Sequence, residues 1–210
     1  MPSRRKAKRR KRKKSTYTIL APESLGGMPL HQVWSSDDKS LIGRIYKPLL
    51  YDLTEDLQHQ NIILNLKIHK VVDGEAHSVY AGHRYVREYL RSLIMRGTTL
   101  VEGTTGVTTK DMFKYRLAAV AFTIRRINKS RMKAIRKIMH EKIRRKGEDL
   151  ASDAFIKEIL FEKVAAEIYG SSRKICPLRH VGIMKVKLLE APRVVEEITV
   201  ESANPSGGEG

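Results

Sequence analysis

The stretch NIILNLKIHKV, residues 61–71, alternates strictly: Ile62, Leu64, Leu66 and Ile68 fall on one side, and Ile63, Asn65, Lys67 and His69 on the other. A period of two is that of a strand with one buried face. Asp73-Gly74 follows, a pair that accepts the backbone of a two-residue hairpin, and HSVYAGH, residues 77–83, offers the return strand. An all-helical fold is thereby excluded, and the chain must build a sheet with a covered face.

Other segments extend that sheet. LIGRIY (41–46), TTLVEG (98–103) and MFKYRLAAVAFTI (112–124) predict strands, the last rich in β-branched and aromatic residues. Between them RYVREYLRSLIMR (84–96) predicts an amphipathic helix with Val86, Leu90, Leu93 and Ile94 on one face and Arg84, Arg87 and Arg91 on another. From residue 130 the period lengthens. Met132, Ile135, Ile138, Met139 and Ile143 recur at spacings of three and four, with Ser130 as expected N-cap and Gly147 as expected end. A second helix is expected from Ser152 to Gly170, burying Ile156, Leu160, Val164 and Ile168, and a last strand, GIMKVKLLE (182–190), should turn Met184, Val186 and Leu188 inward.

Strands, then helices, then one returning strand argue for an α+β domain spanning residues 16–192: a mostly antiparallel, β-barrel-like sheet with flanking helices. Closure would hide the sheet edges. A polybasic N-terminal arm (1–15) too self-repelling to fold alone, hence disordered, precedes this domain, and a flexible C-terminal tail (193–210) ending in SANPSGGEG follows it.

Charge bounds the function. Residues 1–14 hold ten of the 41 Lys and Arg and no acid, so the rest of the chain still sets 31 basic side chains against 23 acidic ones. A polyanionic partner is indicated by both parts. The longest unbroken apolar run, LAAVAF (117–122), is far short of the roughly 20 residues that span a bilayer, and the basic N-terminus leads into Ser15, Thr16 and Tyr17 rather than an apolar leader segment. No membrane partner is expected, and the chain reads as one retained inside the cell. Cys176 is the single cysteine, so it forms no internal disulfide and reads as a buried or half-buried thiol.

Catalytic and metal chemistry finds little support. HEKIR, residues 140–144, begins like the zinc-protease pattern HExxH but carries Arg144 at the second ligand position, where a guanidinium cannot bind zinc. His77 and His83 flank a short apolar strand without a third ligand and read as surface or turn residues. Gly103 and Gly106 frame a G-T-T-G resembling a KH-domain clamp, but strand patterns on both sides favour a hairpin loop. No phosphate-binding glycine motif or Ser-His-acid set stands out. The expectation is a protein with no enzymatic activity, metal or cofactor.

What remains is basic surface. The helix from residue 131 to 146 sets Arg131, Lys133, Arg136, Lys137, Lys142, Arg144, Arg145 and Lys146 against the one acid Glu141, and IRRINKSR adds Arg125, Arg126 and Lys129 just before it. With Arg4, Arg5, Lys6, Lys8, Arg9, Arg10, Lys11, Arg12, Lys13 and Lys14 of the arm, these residues other than Lys142 are the candidate RNA-binding set. The chain shows no helix-turn-helix, zinc finger, heptad zipper or aromatic RNP strand, so phosphate and shape recognition of folded RNA fits better than base readout. Two other classes answer to the same residues: a non-specific DNA-compacting protein of chromatin type, and a metal enzyme using the scattered histidines.

Six ordered blocks carry a family resemblance: TYTILAP (16–22), LIGRIYKPLLYDLTEDLQ (41–58), YLRSLIMRGTTLVEG (89–103), TTKDMFKYRLAAVAFT (108–123), RMKAIRKIMHEKI (131–143) and CPLRHVGIMKVKLLEAP (176–192). Together they resemble the S3Ae family of small-ribosomal-subunit proteins, and the ending soon after LLEAP resembles its archaeal type. The resemblance implies a structural constituent of the small subunit on its platform, near the messenger exit. It also implies small-subunit rRNA, including the region near its 3′ end, and neighbouring platform proteins as partners, with messenger RNA as a further contact and a cytoplasmic, ribosome-bound location.

Overall fold

The computed structural model describes residues 14–192. In chain order they form β1 (Ser15–Leu20), β2 (Pro29–Ser35), β3 (Ile45–Tyr46), α1 (Tyr51–Thr54), β4 (Ile62–Val72), β5 (Glu75–Tyr85), α2 (Arg87–Leu93), β6 (Leu100–Thr108), β7 (Lys114–Thr123), α3 (Lys129–Asp149), α4 (Ser152–Leu160), α5 (Lys163–Ser172) and β8 (Leu178–Glu190). Residues 1–13 of the expected arm and the whole expected tail lie outside the described residues.

The β4–β5 hairpin forms as the alternation requires. Ile62, Leu64, Leu66 and Ile68 are buried, and the turn closes with Asp73 at φ 49° and Gly74 at φ 83°, two successive left-handed residues. β5 is the trunk of an eight-stranded sheet. β4 runs antiparallel along it, and β3 pairs with the far side of β4. The other edge of β5 is shared: β1 pairs in parallel with Glu75, Ala76 and His77, whereas β8 pairs antiparallel with Gly82, His83 and Arg84. β7 and β6 continue antiparallel beyond β8, and β2 beyond β1.

The sheet is therefore mixed and open, and the expected barrel does not close. β1 with β2, and β8 with β7 and β6, grow outward from one edge of β5 as separate arms, so among the described residues no strand joins β6 back to β2 or β3. Helices cover the core instead: Ile135, Met139 and Ile143 of α3 and Phe155, Ile156, Ile159 and Leu160 of α4 share one buried cluster with Leu64, Leu66, Val101, Leu117 and Val186 of the sheet. A smaller cluster, Tyr17, Ile19, Leu41, Ile68 and Ala76, holds β1 on the trunk.

Several boundaries depart from expectation. The LIGRIY strand shrinks to β3, because Gly43 takes φ 83° and turns the chain. G-T-T-G lies inside β6 rather than in a loop: Val101, Gly103, Thr105 and Val107 all face inward under α3. The amphipathic helix shrinks to α2, which has no fully buried residue, and Ile94 is exposed. α3 starts after Asn128, without a side-chain cap, and passes through Gly147. Gly147 is a contact residue rather than a stop; a Cβ there would sit 1.9 Å from Val107 Cγ1. The expected second helix is two, broken at Glu162, which adopts φ 57° and accepts a hydrogen bond from the Tyr85 hydroxyl at 2.8 Å. The four apolar residues expected to bury along it do so. In β8, a register shift between Ile183 and Lys185 changes the phase, so Val181, Ile183 and Val186 are buried while Met184 and Leu188 are half-buried.

Candidate nucleic-acid interface

α3 is a helix because its apolar side chains line one stripe, Ile135, Met139 and Ile143, continued by Gly147, which seats on β6. The other side is cationic, but its charges are not equivalent. Lys146 reaches Glu167 at 2.8 Å and Glu158 at 3.1 Å, and Lys142 lies 3.9 Å from Glu167. These pairs tie α3 to α4 and α5. The bonds to Glu167 and Glu158 raise the Lys146 pKa, and the same Lys146 lowers that of Glu167. Arg136 Nε donates to the Glu102 carbonyl at 2.8 Å, an anchor to β6. Lys137 faces Glu141 at 3.8 Å and Arg145 faces Asp149 at 4.0 Å, both one turn away. The helix thus carries more acid-base pairing than residues 131–146 alone suggest, since it extends to Asp149 and faces the acids of α4 and α5.

Arg125, Arg126, Lys129, Arg131, Lys133 and Arg144 remain exposed, with no carboxylate in salt-bridge range among the described residues. All but Arg144 gather where β7 ends and α3 begins. Arg125, Arg126 and Arg131 line a cleft of about 430 Å³ together with Ile124, Ile127, Cys176 and Pro177. The first turn of α3 holds no acid, so its cations add to the positive end of the helix dipole instead of opposing it. Local repulsion is left uncompensated by the fold, and a bound anion would relieve it. Cys176 is buried here; desolvation raises its pKa, with Arg131 pulling the other way.

The described part of the arm lies at the opposite end of the trunk strand. Lys14, the last cation of the arm, is exposed immediately before β1. β1 meets the start of β5 and β8 its end, so Lys14 and the arginine cleft lie at opposite ends of the trunk strand. Arg4, Arg5, Lys6, Lys8, Arg9, Arg10, Lys11, Arg12 and Lys13 lie outside the described residues.

The histidines sit elsewhere. His83, expected at the surface, is buried in the core: its Nδ1 accepts from the Tyr80 hydroxyl at 2.6 Å and its Nε2 lies 3.3 Å from the Ile183 carbonyl. Desolvation lowers its pKa to about 4, against the small opposing effect of that carbonyl. His140 hydrogen-bonds Thr105 under α3. Among the described residues, no three His, Cys, Asp or Glu side chains are grouped to hold a metal, and no helix is long and apolar enough to cross a membrane.

Comparison with known proteins decides the class. The model of the ribosomal S3Ae family matches residues 3–192. The small ribosomal subunit protein eS1 of Desulfurococcus amylolyticus is 37% identical over 85% of this chain and 84% of its own length. The eS1 proteins of Pyrobaculum aerophilum, 37% identical over 90% and 86%, and Staphylothermus marinus, 38% identical over 91% and 92%, are similarly close. The chain belongs to the ribosomal S3Ae family. It is of the archaeal type, a ribosomal and not an enzymatic protein. The arginine cleft of this S3Ae chain joins two of the six sequence blocks, the basic helix at Arg131 and the Cys-Pro-Leu strand at Cys176, which start 45 residues apart in the chain. Sequence reading found both but had no means of joining them. It passed over Trp34, whose side chain stands exposed on β2.

Proposed function

We propose that this S3Ae protein is a structural constituent of the small ribosomal subunit that grips rRNA phosphates at two sites, the arm ending at Lys14 and the cleft of Arg125, Arg126 and Arg131 with Lys129 and Lys133 beside it. The carrying observation is the gathering of those five cations, without a carboxylate partner among the described residues, at the helix N-terminus. Arg144 extends the site along α3. Arg136 and Lys146 belong to the same face but are anchored internally, whereas Lys137 and Arg145, in long exposed pairs one turn away, stay available to phosphate. The family resemblance supports a platform location near the messenger exit and the rRNA 3′ end, with residues 16–192 as one docking body. Neighbouring platform proteins and messenger RNA are then the further contacts, and the protein works in the cytoplasm, bound to the ribosome.

Competition of a small-subunit rRNA fragment against random duplex DNA for the purified chain tests this reading. Preference for the folded RNA is expected. Equal competition by any duplex would instead favour the DNA-compacting alternative.

A further inference from the structure

Trp34 is the chain's single tryptophan and is 68% exposed. It lies on β2, opposite Thr16 of β1, with Gln32 and Thr18 forming the next pair on the same face. The inward residues of these strands, Tyr17 and Ile19, are buried in the smaller core cluster, so Trp34 is not needed to close it. Its surroundings on the outer face are polar: Thr16 and Gln32 are exposed. An apolar protein partner would find one aromatic ring there and no apolar patch around it.

Charge selects another occupant. Lys14 lies two residues before Thr16, and residues 4–13, which precede it in the sequence, hold nine further Lys and Arg. Three acids lie nearby. Asp38 accepts the hydroxyl of Tyr17, whose side chain points to the opposite face from Thr16; Asp37, exposed three residues after Trp34, lies near the same hydroxyl and with Asp38 raises its pKa; and Glu75 pairs with Thr18, beyond Trp34 from the Lys14 side. A polyanionic strand held at Lys14 has the indole two residues further along β1, opposite Thr16. An exposed ring beside a phosphate-binding arm is the arrangement that stacks unpaired bases, because every base offers a π face whatever its sequence.

We infer that Trp34 is a stacking platform for an unpaired RNA base next to the segment whose phosphates the arm holds. This rests on the RNA-binding reading above and adds to it the class of RNA at this end: single-stranded, where the arginine cleft needs only phosphate and shape.

Because Trp34 is the only tryptophan, its emission reports on this site alone. The full chain is titrated at low salt with a 12-nucleotide single-stranded RNA and with a blunt 12-base-pair RNA duplex, each followed by tryptophan emission and by the anisotropy of a label on the RNA. Both RNAs should bind, and only the single strand should quench the emission. Trp34→Ala should weaken single-strand binding about tenfold with duplex binding unchanged, while Trp34→Phe retains most of it. Unchanged emission while anisotropy reports bound single strand overturns the platform and leaves the rRNA reading standing; an edge reserved for a protein neighbour gives that result. Absence of binding by either RNA overturns both.

Discussion

His83 resists ionisation because protonation would place a charge in the core while its Nδ1 already accepts from Tyr80. Its folded pKa of about 4 lies below the ordinary histidine value, so the folded state holds the neutral ring. The stabilisation is complete above pH 6.5 and is lost as pH falls toward 4, roughly 3 kcal/mol across that window. His69 and His180, lowered chiefly by burial, act with the same sign. Urea midpoints taken from pH 7 to pH 4 should fall, and His83→Gln, less stable at pH 7, should show a flatter decline. Gly147→Ala offers a second check on a single residue. Helix propensity favours alanine by about 1 kcal/mol, but its Cβ would meet the stiff, buried Val107, so a net loss of about 1–3 kcal/mol is expected in chemical denaturation. Neither role was legible in the sequence. A register shift around Ala81 gives β5 an extra residue, which changes the phase of HSVYAGH and turns His83 inward. Gly147 carries the composition of a stop, and only the approach of Val107 shows that it is a packing surface.

Elements were legible where one face is buried and the period is unbroken. The β4–β5 hairpin follows from alternation plus Asp73-Gly74, and the α3 stripe follows from spacings of three and four. The α4–α5 break was hidden because no Gly or Pro marks it; the left-handed turn at Glu162 is held by Tyr85, 77 residues away in sequence. Likewise, the acids that occupy Lys142 and Lys146 come from α4 and α5, so helix α3 read alone overstates its free charge. This separation of cations can be measured. Lys146→Met should destabilise the fold by roughly 0.5–1 kcal/mol, less at high salt, and change RNA affinity little, since both partners are part-exposed. Arg125→Glu with Arg126→Glu should leave the melting temperature within a degree or two and weaken rRNA binding, reducing the salt slope by about 1 for each lost phosphate contact.

For the whole molecule, Lys14 and the arginine cleft sit at opposite ends of β5, so the arm and the cleft should act as independent contacts. Deleting residues 1–13 should preserve cooperative unfolding, because strand hydrogen bonding begins at Ser15. Its effect on rRNA affinity should add, within about 0.5 kcal/mol, to that of the Arg125/Arg126 double substitution. A sheet was foreseeable from strand patterns; its openness was not, because closure depends on which edge of β5 each strand takes. The central claim, that this fold is built to hold small-subunit rRNA mainly through phosphates, is tested most directly by sedimenting cell extract through sucrose gradients at rising salt. The protein should migrate with small subunits at low salt and be shed more readily as salt rises when Arg125 and Arg126 are reversed. Its recovery at the top of the gradient at low salt, away from small subunits, would contradict the account.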